Sequence, residues 1–163
     1  MNAEQLRAER PTAALAIEYL MTLYAPVDPP KPIDPTLVIY LVRAGGWVAG
    51  PKIKGTLAAP TADWLRIMPG GVSRIDARGL IETDDGALIS LTFGGVVHFE
   101  PEALERLNRG EVVRSGGFYS ITTPFQTNAP SYAWLNRMQA VGKLIEADAG
   151  AAAHVTYDIF AVS

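Results

Sequence analysis

Residues 72–81 set an acid between two guanidiniums. Arg74, Asp76 and Arg78 recur with the period of two that puts them on one face of a strand, while Ser73, Ile75, Ala77, Gly79 and Ile81 take the other. Facing water, such charges form ion pairs worth about 0–1 kcal/mol each. Turned into a cavity, they must pair or be fully hydrogen-bonded, because an unpaired buried charge is very costly. An aspartate beside a guanidinium has a lowered pKa and makes a poor general base. Arg78 would instead grip an enolate, phenolate or carboxylate of a ligand. Alternation alone leaves both placements open.

Other side chains could join such a site. Trp64, Tyr119, Tyr132 and Trp134 combine apolar rings with polar tips, which suits a wall around a flat or hydrophobic small molecule, and equally suits core packing. Thr127 and Asn136 are candidate hydrogen-bond donors to that ligand, or caps for the turns around Pro130. His98, in "FGGVVHF", is a candidate general acid or base, or a structural histidine among apolar neighbours. Lys52 and Lys54 would support imine chemistry if desolvated, but alternating lysines on a strand ordinarily mark a wet face. With 2 His, no Cys and neither His-x-His nor His-Glu-x-x-His spacing, no metal site is predicted. "GGWVAGP" lacks the Lys-Ser/Thr of a phosphate loop, and Gly-x-Ser-x-Gly is absent, so no nucleotide cofactor and no serine hydrolase are expected.

The elements that must position these residues are mostly strands. Asp85-Gly86 between two alternating flanks predicts a hairpin. Further strands are expected at Ile17 to Tyr24, Leu37 to Arg43, Trp47 to Leu57, Phe118 to Thr123, Met138 to Glu146 and His154 to Val162, with the second and third paired about Gly45-Gly46. Glu100 to Gly110 carries helix punctuation, with Pro in the first turn, acids early, Arg late and Gly beyond. Tyr132 to Asn136 suits a helical turn. Many strands and one short surface helix predict an all-β antiparallel domain, a closed barrel in preference to a sandwich because closure removes exposed edges.

A chain of 163 residues, 48% hydrophobic and 19% charged, is expected to fold as one globular domain over 1–163, with 1–14 as an N-terminal extension. Its net charge of −3 and scattered Lys and Arg argue against nucleic-acid partners. The apolar run after Arg10 is interrupted by Glu18 and too short to span a bilayer, so no membrane partner and a cytoplasmic location are the expectations.

Several segments together, "GGWVAGPKIKGTL", Asp63-Trp64, "IDARGLIETDDGALI", Phe125, Thr127, "YAWLNRMQAVG" and "VTYDIFAV", resemble the bacterial and fungal domain-of-unknown-function family numbered 3237, from about Glu18 to Val162. The resemblance implies a single β-barrel broadly like the calycins or allene oxide cyclase, with no established general activity. It also turns Asp76 and Arg78 toward the lumen. Three departures stand out: Thr61-Ala62 where Gly-Gly is usual, Met68-Pro69-Gly70 after Trp64, and an inserted helix at 100–110. The functional expectation is a barrel for an apolar or aromatic small molecule, performing cofactor-free isomerase, cyclase or lyase chemistry. Its rivals are a carrier with the same pocket and a structural homodimer.

Overall fold

Gly86 takes φ 83° in the computed structural model, which describes residues 2, 4, 5, 8 and 15–163. That conformation costs glycine little and closes the expected hairpin, with the Thr83 N–H donating to the Ala87 carbonyl at 2.9 Å. The flanking strands β6 (Val72–Thr83) and β7 (Leu88–Phe99), numbered within the full set that follows, pair antiparallel from Val72↔His98 to Glu82↔Leu88. Most of the extension expected at 1–14 lies outside the described residues.

The remaining strands are β1 (Ile17–Pro26), β2 (Lys31–Asp34), β3 (Leu37–Leu41), β4 (Gly46–Ala49), β5 (Lys54–Met68), β8 (Gly117–Thr122), β9 (Phe125–Gln126), β10 (Gln139–Asp148) and β11 (His154–Val162). Hydrogen-bonded neighbours run β5, β4, β1, β11, β10, β8, β7, β6 and back to β5, closing an 8-strand antiparallel barrel. The expected closed barrel forms, and closure satisfies backbone groups that an open edge would leave free. Helix α1 (Pro101–Asn108) joins β7 to β8, and the helical turn expected near Tyr132 is a 3-10 segment over Pro130–Arg137.

One stretch differs from expectation. Trp47 to Leu57 is not one strand but a hairpin of β4 and the start of β5, turned where the Gly50 N–H donates to the Ile53 carbonyl at 2.8 Å. Pro51 has no N–H to give a ladder, and Gly50 lets the turn pack directly on the Leu20 backbone, where a Cβ would stand 2.0 Å from the carbonyl oxygen. Consequently β3 and β4 do not pair with each other; they lie along successive halves of β5.

On its other side β5 pairs with β6 through a bulge in which Ala59, Pro60 and Thr61 stand opposite Gly79. The Thr61 hydroxyl donates to the Ala58 carbonyl at 2.6 Å and accepts the Leu80 N–H at 3.2 Å, replacing the interrupted ladder. Leu57 faces Ile81 before the bulge and Asp63 faces Ala77 after it. The two extra residues preserve alternation, so Asp63 remains on the inward side.

The interior is filled unevenly. Met21, Ile81, Ile89, Leu135 and Ile159 are wholly buried and pack one end solid. Leu135 comes from the 3-10 segment, which is tied to the β6–β7 hairpin where the Tyr132 hydroxyl donates to Asp85 at 3.0 Å. At the other end the inward side chains line a cavity.

Candidate functional site

The cavity has a volume of about 280 Å³ and lies among the second half of β5, the first half of β6 and the adjoining ends of β1, β3, β7, β10 and β11, with Leu107 of α1 on its rim. Ile75, Phe93, Val97, Leu144 and Val155 make its walls largely apolar. Into this wall Tyr40, Asp63 and Tyr157 bring polar groups. Tyr40 on β3 and Asp63 on β5 are directly opposed in the ladder, a relation that sets side chains next to each other on one face. Tyr157 comes from β11, its ring stacked on Phe93 with centroids 6.3 Å apart.

Asp63 Oδ1 accepts the Asp76 backbone N–H at 3.0 Å. Burial nevertheless pushes its pKa up to about 6, overcoming that stabilising bond, and the Asp76 carboxylate adds to the rise. Burial, and then the Asp63 charge, also raise Tyr40 and Tyr157, so both phenols stay protonated donors across the physiological range. Burial and the Asp63 charge are the causes of both shifts, and no hydrogen bond within the protein engages either hydroxyl among the described residues. The arrangement is one carboxylate able to take a proton and two phenols able to donate hydrogen bonds, in a low-dielectric hollow.

His154 also lines the cavity, but its nitrogens are engaged: Nε2 lies 2.7 Å from Glu146 Oε1 and Nδ1 lies 2.8 Å from the Ala152 carbonyl. Arg114 Nε holds the second oxygen of Glu146 at 2.7 Å. This network braces the β10–β11 wall; it leaves no free imidazole nitrogen for a ligand. No Lys or Arg lines the cavity, and no group of three His, Cys, Asp or Glu able to hold a metal ion occurs among the described residues.

The placement of Asp76 and Arg78 corrects the expectation of a lumen-facing pair. Both side chains are exposed, as is Arg74, while Ser73, Ile75 and Ala77 line the cavity. The reason is energetic: an all-charged face goes to water and the apolar face goes inward. Trp64, one residue from Asp63, points outward and is 42% exposed, so it does not wall the cavity. His98 follows the cavity-lining Val97 on β7, outside the lining, and sits next to the Pro69–Gly71 turn.

Tyr132 and Trp134 lie in the 3-10 segment against the packed end, away from the cavity. Thr127 and Asn136 clasp each other: the Thr127 N–H donates to Asn136 Oδ1 at 2.8 Å, and Asn136 Nδ2 donates to the Thr127 carbonyl at 2.7 Å. They are turn caps, the alternative raised for them above. Tyr119 is buried with its ring 4.9 Å from that of Phe99, supporting a cavity-lining residue without lining the cavity itself.

Asp63, Tyr40 and Tyr157 carried a signal in the sequence that their roles as motif or strand residues obscured. Asp63 falls in the same alternating phase as Leu65 and Ile67, and Tyr157 in phase with Val155 and Ile159. A polar residue in the apolar phase of a strand is the one that enters the interior. Asp76, in phase with Arg74 and Arg78, lacks that mark.

The family described as "Protein of unknown function (DUF3237)" matches residues 15–162. A UPF0311 protein of Rhodopseudomonas palustris is 36% identical over 99 residues, covering 60% of this chain and 65% of that protein, so the match spans just under two-thirds of that relative's length. The crystal structure of a β-barrel-like protein from Acinetobacter baumannii is similar with TM-score 0.77 and 31% identity, over 93% of this chain and 98% of that one. A structure described as an enzyme from Penicillium herquei superposes with TM-score 0.63 at 21% identity, over 94% and 98% of the two chains, a likeness of fold.

Proposed function

We propose that this chain, which belongs to the DUF3237 family, uses the open end of its barrel as a proton-transfer site for an apolar small molecule. The reaction class is cofactor-independent isomerisation, cyclisation or elimination, with Asp63 as the acid/base and Tyr40 and Tyr157 as hydrogen-bond donors. One observation carries this reading: a carboxyl group pushed to about 6 stands inside a largely apolar cavity beside two phenols. A general base is most useful when its pKa lies near working pH, and burial has brought Asp63 there. The dry wall strengthens each polar contact with a bound molecule.

The test is retention and conversion of apolar and aromatic metabolites, followed by native mass spectrometry and chromatography of the released compound. Wild-type protein is expected to bind and convert a compound that Asp63→Asn binds and returns unchanged. Release of every bound compound unaltered by the wild type would make the barrel a carrier. Failure to retain any apolar compound would reject the site itself.

A further inference from the structure

The chemistry of the cavity wall selects among substrates. We infer that the substrate is an uncharged ketone or enone with an acidic hydrogen next to its carbonyl group; this rests on the proton-transfer reading above and narrows it.

Charge excludes one class. Asp28, Asp63 and Asp148 all line the cavity, and no Lys or Arg among the described residues does. The ring nitrogens of His154 are occupied by Glu146 and the Ala152 carbonyl. A carboxylate or phosphate in the substrate would find no Lys or Arg among the described residues and no free imidazole N–H, and would lie near carboxylates, a penalty that the apolar wall magnifies. Substrates whose handle is an anion, which a guanidinium at Arg78 would have suited, are therefore rejected.

Hydrogen-bonding capacity selects within what remains. Tyr157 is 8% exposed, lines the cavity, and has a hydroxyl with no partner among the described residues. Tyr40, half-buried beside Asp63, offers a second hydroxyl without a partner among the described residues. A ligand that fills the cavity removes water from both hydroxyls, and a desolvated donor left unmade costs about 1–3 kcal/mol, so a ligand that supplies an acceptor is favoured. Asp63 has one oxygen held by the Asp76 N–H, which leaves Oδ2 as the proton acceptor. Two donors and one base are the complement of a carbonyl oxygen and an adjacent C–H.

The step balances within these groups. Asp63 Oδ2 takes the α-proton, the C–H electron pair becomes the carbon–carbon π bond, and the carbonyl π pair moves onto oxygen, where a phenol O–H receives it. When the protonated Asp63 trades its proton with solvent before reprotonating the same carbon, the outcome is hydrogen exchange at the α-position. Return to the γ-carbon of a β,γ-unsaturated ketone moves the double bond into conjugation and restores the carboxylate.

The experiment uses 2-tetralone in D2O, with α-deuteration followed by NMR and binding followed by changes in the ligand's signals. Protein-catalysed exchange is expected, lowered about 10²–10⁴-fold in Asp63→Asn with binding retained, and slowed in Tyr157→Phe. Arg78→Leu should exchange like wild type, and 2-naphthoate should not bind. Binding of 2-tetralone without catalysed exchange, or preferential binding of 2-naphthoate or 2-aminotetralin, overturns the ketone assignment while leaving a ligand-binding cavity in place. Binding of none of the three probes overturns both readings.

Discussion

Asp63 accepts the backbone N–H of Asp76 at 3.0 Å, so two aspartates on neighbouring strands meet through one barrel wall with their carboxylates on opposite sides of it. The inner one loses water and the outer one keeps it. That difference makes Asp63 a costly residue in the folded state whenever it is ionised. Its folded pKa of about 6 stands above the ordinary value of 3.8. The folded protein therefore holds the proton more tightly, and stability falls as pH rises from about 4 to about 6, then stays lower. Asp63→Asn is expected to be more stable than wild type at pH 8 by about 2 kcal/mol, with the gap closing by pH 4. Urea midpoints at the two pH values check this; an equal gap at both would mean the carboxyl is not desolvated.

Catalysis should follow the opposite limb of the same titration. A base works only when deprotonated, so turnover or α-exchange is expected to rise with pH through about 6 and level above it. The profile should be unchanged in Arg78→Leu, because that guanidinium is exposed on the outer face. A pH-independent rate would remove Asp63 as the base.

Asn136 predicts a pure stability effect. Its amide exchanges two hydrogen bonds with the Thr127 backbone at the packed end, remote from the cavity. Asn136→Ala is expected to cost about 1–2 kcal/mol in denaturation while leaving ligand affinity within twofold. A loss of affinity in a still-folded variant would return Asn136 to the binding site.

Glu146 should contribute stability with the reverse pH sign from Asp63. Its bond to His154, aided by Arg114, holds the carboxyl below the ordinary 4.5. The contribution is present above that value and is lost as pH falls through the lowered one. Glu146→Gln is expected to lower stability at pH 7 by about 1–2 kcal/mol, and the difference from wild type should vanish in acid. Thermal denaturation from pH 3 to pH 7 measures it.

The local grammar of the chain was readable residue by residue. Asp85-Gly86 demanded a tight turn, Pro101 and Gly110 bounded a helix, and strand-length alternation bounded by glycines called for an antiparallel barrel; each is governed by torsions and propensities that act over a few residues. Gly50-Pro51 does not stand out as a turn because Lys52, Lys54 and Thr56 mimic an unbroken strand, and the close approach of Gly50 to the Leu20 backbone, thirty positions away in the chain, exists only once the barrel has formed. The same limit governed the site. A period of two separates Asp76 from Ala77 but has no inside or outside of its own; the sign is supplied by closure of the sheet, which sends the charged phase of β6 to water. Tyr40, Asp63 and Tyr157 come from three strands far apart in sequence, so their convergence depends on strand order, on the bulge at Ala59 to Thr61 and on which end of the barrel Leu135 fills. Those are long-range packing outcomes, and only the folded chain contains them.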